Sequence, residues 1–243
     1  MKEVFKPILD TFENEDIKKF AEACLDTVPA YFLEVGASST GKYHPQYALG
    51  TLGLARHTLA LCRFMNHMFS LDCIKERFNS RERDLMRIAG MMHDSRKSGS
   101  QEDYERSKWT KFDHPLLAAE AVRSVEKIIP DSEIETIATA IESHMGQWCV
   151  DSRHPDVTLP LPENKYQILL HVCDYLASRK DIEVLFDGVQ IKEEPPTVET
   201  WKLTFGKHKG KTLLEVQEED PSYIYWAKEN VTSEPCKTLV KQL

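Results

Sequence analysis

The chain has 243 residues, 41% hydrophobic and 29% charged, the composition of an ordinary soluble globular protein with room for one sizeable core. No apolar run approaches the roughly 18 residues that a membrane-spanning helix needs, and a net charge of -8 excludes a protein that coats nucleic acid over its whole surface. The charge is uneven: residues 201–243 hold seven lysines against six acidic residues, so 33 acidic and 24 basic residues lie before them.

The first residues, MKEVFKPILDTFENED, alternate charged with apolar side chains and lack the continuous apolar core of a secretory signal, which predicts a cytoplasmic protein. Cys24, Cys62, Cys73, Cys149, Cys173 and Cys236 form no CxxC pair and read as reduced, mostly buried thiols. Helical periodicity then dominates. Apolar residues recur at Ile17, Phe20, Ala21 and Cys24, and again at Leu54, Leu61 and Phe64, with His57 on the same stripe. The pattern returns at Leu85, Ile88, Ala89 and Met92, at Ile134, Ile137, Ala138 and Ile141, and at Tyr166, Leu169, Leu170 and Cys173. Pro115 takes a favoured first-turn position in a further helix, PLLAAEAVRSVEKII. Residues 1–186 are therefore expected to form an all-α domain.

The pattern breaks at DGVQIKEEPPTVET, residues 187–200, where two prolines and few large apolar residues predict a linker. Beyond it, WKLTFGKHKGKTLLEV alternates Trp201, Leu203 and Phe205, stops at Gly206 and resumes after Gly210, which predicts a short strand, a glycine-bounded turn and a helix. DPSYIYWAKEN opens another helix behind Asp220 and Pro221. Residues 201–243 are thus expected to be a small α/β appendage. Its core would take Trp201, Phe205 and Trp226, and Lys207, Lys209 and Lys211 would be free to meet nucleic-acid phosphates.

Chemistry enters where polar residues fall on apolar stripes. His57 shares a face with Leu54 and Leu61, and His144 lies one turn beyond Ile141. Asp174 shares a face with Leu170 and Ala177, where an ionised carboxylate without a partner is very costly and needs a cation. His93 and Asp94 close the helix that ends at Met92. A lone histidine on such a face is ordinarily a hydrogen-bonded core residue, and His67, His154, His171 and His208 are read that way. The set His57, His93, Asp94, His114, His144 and Asp174 is different, because successive helices aim it inward. Imidazole and carboxylate together suit divalent metals, and a helical core is a natural place to assemble them.

The order His57, the His93-Asp94 doublet in HDSRKSG, and a late Asp174 in HVCDYLASR resembles the HD-domain superfamily of metal-dependent phosphohydrolases over roughly residues 40–185. DHPLLAAEAV and IATAIESHMGQW are further family-like features. ASSTGKYHPQYALGTLGLARHT is similar to the lead-in of HD exoribonucleases, which makes His44 a candidate on the rim of the site. The resemblance implies an all-α HD core in which His57, His93, Asp94 and Asp174 hold one divalent metal. His114 and His144 would hold a second, bridged by Asp94, and Mn, Fe, Co, Ni and Zn all suit these donors. Met145 stands where many dinuclear members have another histidine, a departure that bears on the affinity of the second site. Asp94 and Lys97 would act in catalysis, and Lys97 and Arg96 would contact the substrate phosphate. Residues 201–233 are similar to the exonuclease-X-type carboxyl-terminal domain, with its GKxxGK and YxxW pattern. The chain is thus expected to be a phosphohydrolase or phosphodiesterase acting on a nucleotide or single-stranded nucleic acid, with no membrane partner. The alternatives are an HD-type di-iron oxygenase, which uses the same four His and two Asp, and a non-catalytic metal- or nucleotide-binding module.

Overall fold

In the computed structural model, which describes residues 1–38, 44–182 and 196–243, helices begin where polar caps precede apolar stripes. The chain divides into two compact units, Met1–Leu185 and Phe186–Leu243. The expected linker at 187–200 lies outside the described residues as far as position 195.

The first unit is all-α. It comprises α1 (Lys2–Leu9), α2 (Glu15–Asp26), α3 (Gly53–Ser70), the single turn α4 (Asp72–Lys75), α5 (Ser80–Met92), α6 (Gln101–Arg106), α7 (His114–Arg123), α8 (Asp131–Glu142) and α9 (Lys165–Ala177). Helix α3 is central, packing on α5 and α9, while α8 packs on α5, α7 and α9. Its first turns are buried nearly all round, the pattern of a core helix rather than a surface one. Phe64, expected on its buried stripe, is only half-buried, and Met65 and Phe69 fill the core instead.

Two glycines allow the close approaches that this packing needs. A Cβ on Gly53 would stand 2.4 Å from the Ala48 carbonyl oxygen, so the start of α3 lies directly on the preceding turn. A Cβ on Gly90 would stand 2.9 Å from the Leu61 Cδ2, so α5 meets α3 closely enough to bring the rings of His57 and His93 within 5.4 Å. Helix α5 starts at a reciprocal capping box, in which Asn79 accepts from the Glu82 amide at 2.9 Å and Glu82 accepts from the Asn79 amide at 2.7 Å. A similar box formed by Asn164 and Gln167 starts α9.

A buried carboxylate joins α5 to the start of α2. Asp84, fully buried, accepts from the amides of Glu13 and Asn14 and from the Asn14 side chain at 2.8–2.9 Å, and pairs with Arg87 at 2.6 Å.

The second unit, over its described residues, contains α10 (Leu213–Glu219), α11 (Pro221–Asn230) and the turn α12 (Cys236–Leu239) around a core that includes Leu203, Leu213, Val216, Ile224 and Leu239. The expected strand at 201–205 reduces to one antiparallel bridge between Lys202 and Thr212. Gly206 and Gly210, at φ +73° and +91°, turn the chain back too soon for a longer ladder. Trp201 and Phe205 pack against this core as expected. Trp226 does not: it is 48% exposed beside Tyr225 at 73%. It lies next to Tyr225 on α11, whose inward face is taken by Ile224 and Ala227.

Candidate metal centre

Five helices deliver six side chains to one place. His57 comes from the middle of α3, and His93 and Asp94 from the carboxyl end of α5. His114 is the first residue of α7, His144 follows the end of α8, and Asp174 lies on α9. All are buried except Asp174, whose side chain is 21% exposed and opens the cluster on one side.

Asp94 lies between two pairs of imidazoles. Its Oδ2 is 3.4 Å from the His93 Nε2 and 4.0 Å from the His57 Nε2, while its Oδ1 is 3.0 Å from the His114 Nε2 and 3.7 Å from the His144 Nε2. The Oδ1 of Asp174 stands 2.9 Å from the His57 Nε2 and 3.6 Å from the His93 Nε2. Two triads able to hold a metal ion result, His57 with His93 and Asp94, and His114 with His144 and Asp94, and they share the Asp94 carboxylate.

Backbone carbonyls fix which imidazole nitrogen faces inward. The Nδ1 of His93 donates to Gly90 O at 2.9 Å, that of His114 to Lys111 O at 2.7 Å, and that of His144 to Ile141 O at 2.7 Å. A carbonyl oxygen accepts only, so each Nδ1 carries the proton and each neutral ring presents an Nε2 lone pair to the centre. The inward Nε2 atoms of His93 and His114 are buried without a hydrogen-bond partner, as is the Nδ1 of His57. At His114, whose ring is neutral, a lone pair faces a carboxylate oxygen at 3.0 Å, and the two repel unless a cation lies between them. The donor set therefore fits a divalent metal.

The electrostatics agree. Burial pushes the Asp94 carboxyl up, but Lys97 and His93 outweigh it and hold the group well below the usual carboxylate range. Burial is likewise outweighed at Asp174, by His57 first, and that carboxyl is held low too. Burial drives His144 down to about 3, and burial with the nearby Lys97 lowers His114, so both rings are neutral donors at neutral pH. His93 runs the other way: burial lowers it, but the Asp94 carboxylate wins and raises it.

Basic residues follow the doublet. The Lys97 ammonium donates to both Asp94 oxygens, at 2.8 and 3.0 Å. Arg96 is half-buried, and its Nη1 has no hydrogen-bond partner. Tyr31 fixes the loop that carries them, accepting from the Ser98 amide at 3.1 Å and donating to Gly99 O at 2.8 Å. His44 packs edge-on against His57 with ring centroids 5.1 Å apart.

His171, read from the sequence as an ordinary core histidine, has a further role. Its Nδ1 donates to the His144 carbonyl at 2.7 Å and so supports a candidate ligand from behind. No sequence signal marks this contact, because it depends on the turn at Gly146. The lysines of the second unit are less free than expected. Lys207 pairs with Asp220 at 2.6 Å and Lys211 with Glu219, because α10 and the start of α11 return acidic residues to the glycine turn. Lys209 has no ion-pair partner among the described residues.

A helical domain with a His/Asp cluster able to hold divalent metal is the class that this fold and site define. Residues 51–179 match the HD domain family, and the chain belongs to it. Residues 203–232 match the family described as exodeoxyribonuclease X-like C-terminal. Comparisons with curated proteins and with solved structures gave no match. The HD domain places the chain in a superfamily of metal-dependent hydrolases. No helix among the described residues is long and apolar enough to cross a membrane.

Proposed function

We propose that the protein is a phosphohydrolase that cleaves a phosphodiester of a nucleotide or single-stranded nucleic acid at a divalent metal centre. One observation carries the reading: three imidazoles, each fixed in one tautomer by a carbonyl, aim their Nε2 atoms at a carboxylate that spans both triads. His57, His93, Asp94 and Asp174 would hold one ion, and His114 and His144 a second, with Asp94 shared. Such ions supply Lewis acidity at the phosphoryl group and a water acidified towards neutral pH.

The chain's own residues do the rest. Asp94 and Asp174 supply the negative charge that holds the cations, and the backbone carbonyls keep the histidines from rotating. Lys97 is within reach of Asp94 and can turn towards a phosphate oxygen when Asp94 is committed to metal, neutralising charge that builds up in the transition state. The unpartnered Arg96 nitrogen offers a second donor to the same phosphate, and His44 lines the rim. In the second unit, Lys209 with the exposed Tyr225 and Trp226 provides one cation and two aromatic faces for a single strand, and the exposed pair of Lys211 with Glu219 is weak enough for phosphate to displace, whereas Lys207 is tied to the more buried Asp220.

The test is a Mn²⁺-supplemented screen of nucleotides, cyclic dinucleotides and labelled single-stranded DNA and RNA under strict anaerobiosis. Hydrolysis that disappears when His93 and Asp94 are replaced by Ala supports the proposal. No hydrolysis under anaerobiosis, with turnover that appears only when oxygen is admitted, would replace it with an oxygenase.

A further inference from the structure

The chain leaves α8 through His144 and turns at Gly146, where φ is +55°. A Cβ there would stand 2.2 Å from the His171 ring, so only glycine lets the chain pass. The turn returns Trp148 to α9, where its ring stacks on Tyr175 with planes 12° apart and centroids at 6.0 Å. The Arg179 guanidinium lies 4.2 Å from the Tyr175 centroid, and its Nε is buried without a hydrogen-bond partner.

This cluster is built but not closed. Trp148 is 47% exposed and Tyr175 38% exposed, although a pair serving only to seal the junction of α8 and α9 would gain most by burying its rings. It is also linked to the candidate metal centre through His171. Tyr175 follows Asp174 directly, Trp148 lies four residues beyond His144, and Trp148 leans on His171, which holds the His144 carbonyl.

We infer that Trp148, Tyr175 and Arg179 form a ledge on which an unpaired base of single-stranded nucleic acid stacks beside the metal centre. The inference rests on the phosphohydrolase reading and narrows its substrate. Aromatic faces take any base that presents a free π-face, and a cation beside them suits the phosphate attached to it. A base inside a duplex has both faces covered by its neighbours, so the ledge selects single strands.

The experiment uses the full chain in EDTA, so that binding is read without turnover. A 5′-labelled single-stranded hexanucleotide is compared with its abasic counterpart and with a duplex by fluorescence anisotropy. The base-bearing strand should bind about tenfold or more tightly than either, and Trp148→Ala or Tyr175→Leu should reduce that preference several-fold. Because these variants can loosen the α8–α9 junction, a second measurement uses Trp148→Phe, which keeps an aromatic ring in place. The emission of Trp148, taken as wild type minus Trp148→Phe, should be quenched by the base-bearing strand and not by the abasic one. Unchanged Trp148 emission, or a base preference unaltered in Trp148→Ala, overturns the ledge. Metal-dependent hydrolysis with a silent Trp148 would remove the ledge alone, whereas quenching without hydrolysis under any divalent metal would leave the ledge and remove the phosphohydrolase reading.

Discussion

The Nε2 of His114 stands 3.0 Å from the Oδ1 of Asp94, and both atoms carry lone pairs, because the His114 Nδ1 proton is engaged by Lys111 O. Two acceptors at that distance are held by the fold, not by attraction for each other. A cation between them turns the repulsion into binding. Divalent metal should therefore stabilise the folded chain strongly: at one hundred times its dissociation constant the gain is about 2.7 kcal/mol. Thermal melting in EDTA and in excess Mn²⁺ reads this directly, with a higher midpoint expected in Mn²⁺.

His171 should act as a positioning residue for His144. Replacing it with Ala frees the His144 carbonyl and should weaken metal binding at the His114 and His144 pair, by less than the roughly 10- to 100-fold expected for losing a hydrogen bond to the ligand ring itself, because Ile141 O still holds that ring. Metal titration separates this from a general loss of structure. The sites should fill unequally in His171→Ala, and His171→Asn, which keeps a donor, should restore part of the affinity.

Gly146→Ala should destabilise the first unit by roughly 3 kcal/mol, combining a left-handed backbone that costs about 1–2 kcal/mol with a Cβ placed against the His171 ring. Urea unfolding measures it, and a change under about 0.5 kcal/mol would mean that the turn relaxes freely.

Asp84→Ala should cost about 3–5 kcal/mol, because it leaves Arg87, 6% exposed, without its carboxylate and strands two amides at the start of α2. The same variant, held below its unfolding temperature, should keep its metal, since Asp84 contacts none of the six clustered residues among its hydrogen bonds and ion pairs.

Metal uptake should depend on pH with a definite sign. Asp94 raises His93, so the metal-free protein holds a proton on that ring over a pH range that extends higher than for an ordinary imidazole, and an incoming cation must displace it. Affinity should fall as pH drops through this range, by up to about tenfold per unit for each proton displaced. His144, already neutral down to about pH 3, adds nothing to that slope. Calorimetry in buffers of different ionisation enthalpy counts the protons released.

Much of this site is legible in the sequence, because helical periodicity alone puts His57, His144 and Asp174 on faces shared with Leu54, Ile141 and Leu170. The doublet at the end of α5 is visible for the same reason. The tautomers are not, since they depend on carbonyls three residues back that become acceptors only where each helix begins or ends. The His171 contact, the aromatic ledge and the exposure of Trp226 are hidden too. The first two are set by a left-handed turn at Gly146, and the third by which of two adjacent aromatics α11 turns inward.

The central claim is a metal centre built around one shared carboxylate. Asp94→Asn keeps the shape of that side chain and removes its charge, so metal content by mass spectrometry after loading with Mn²⁺, in wild type and in this variant, tests it most directly. Wild type should retain bound metal through desalting and Asp94→Asn should retain almost none at either triad. Equal metal in the two proteins would contradict the account.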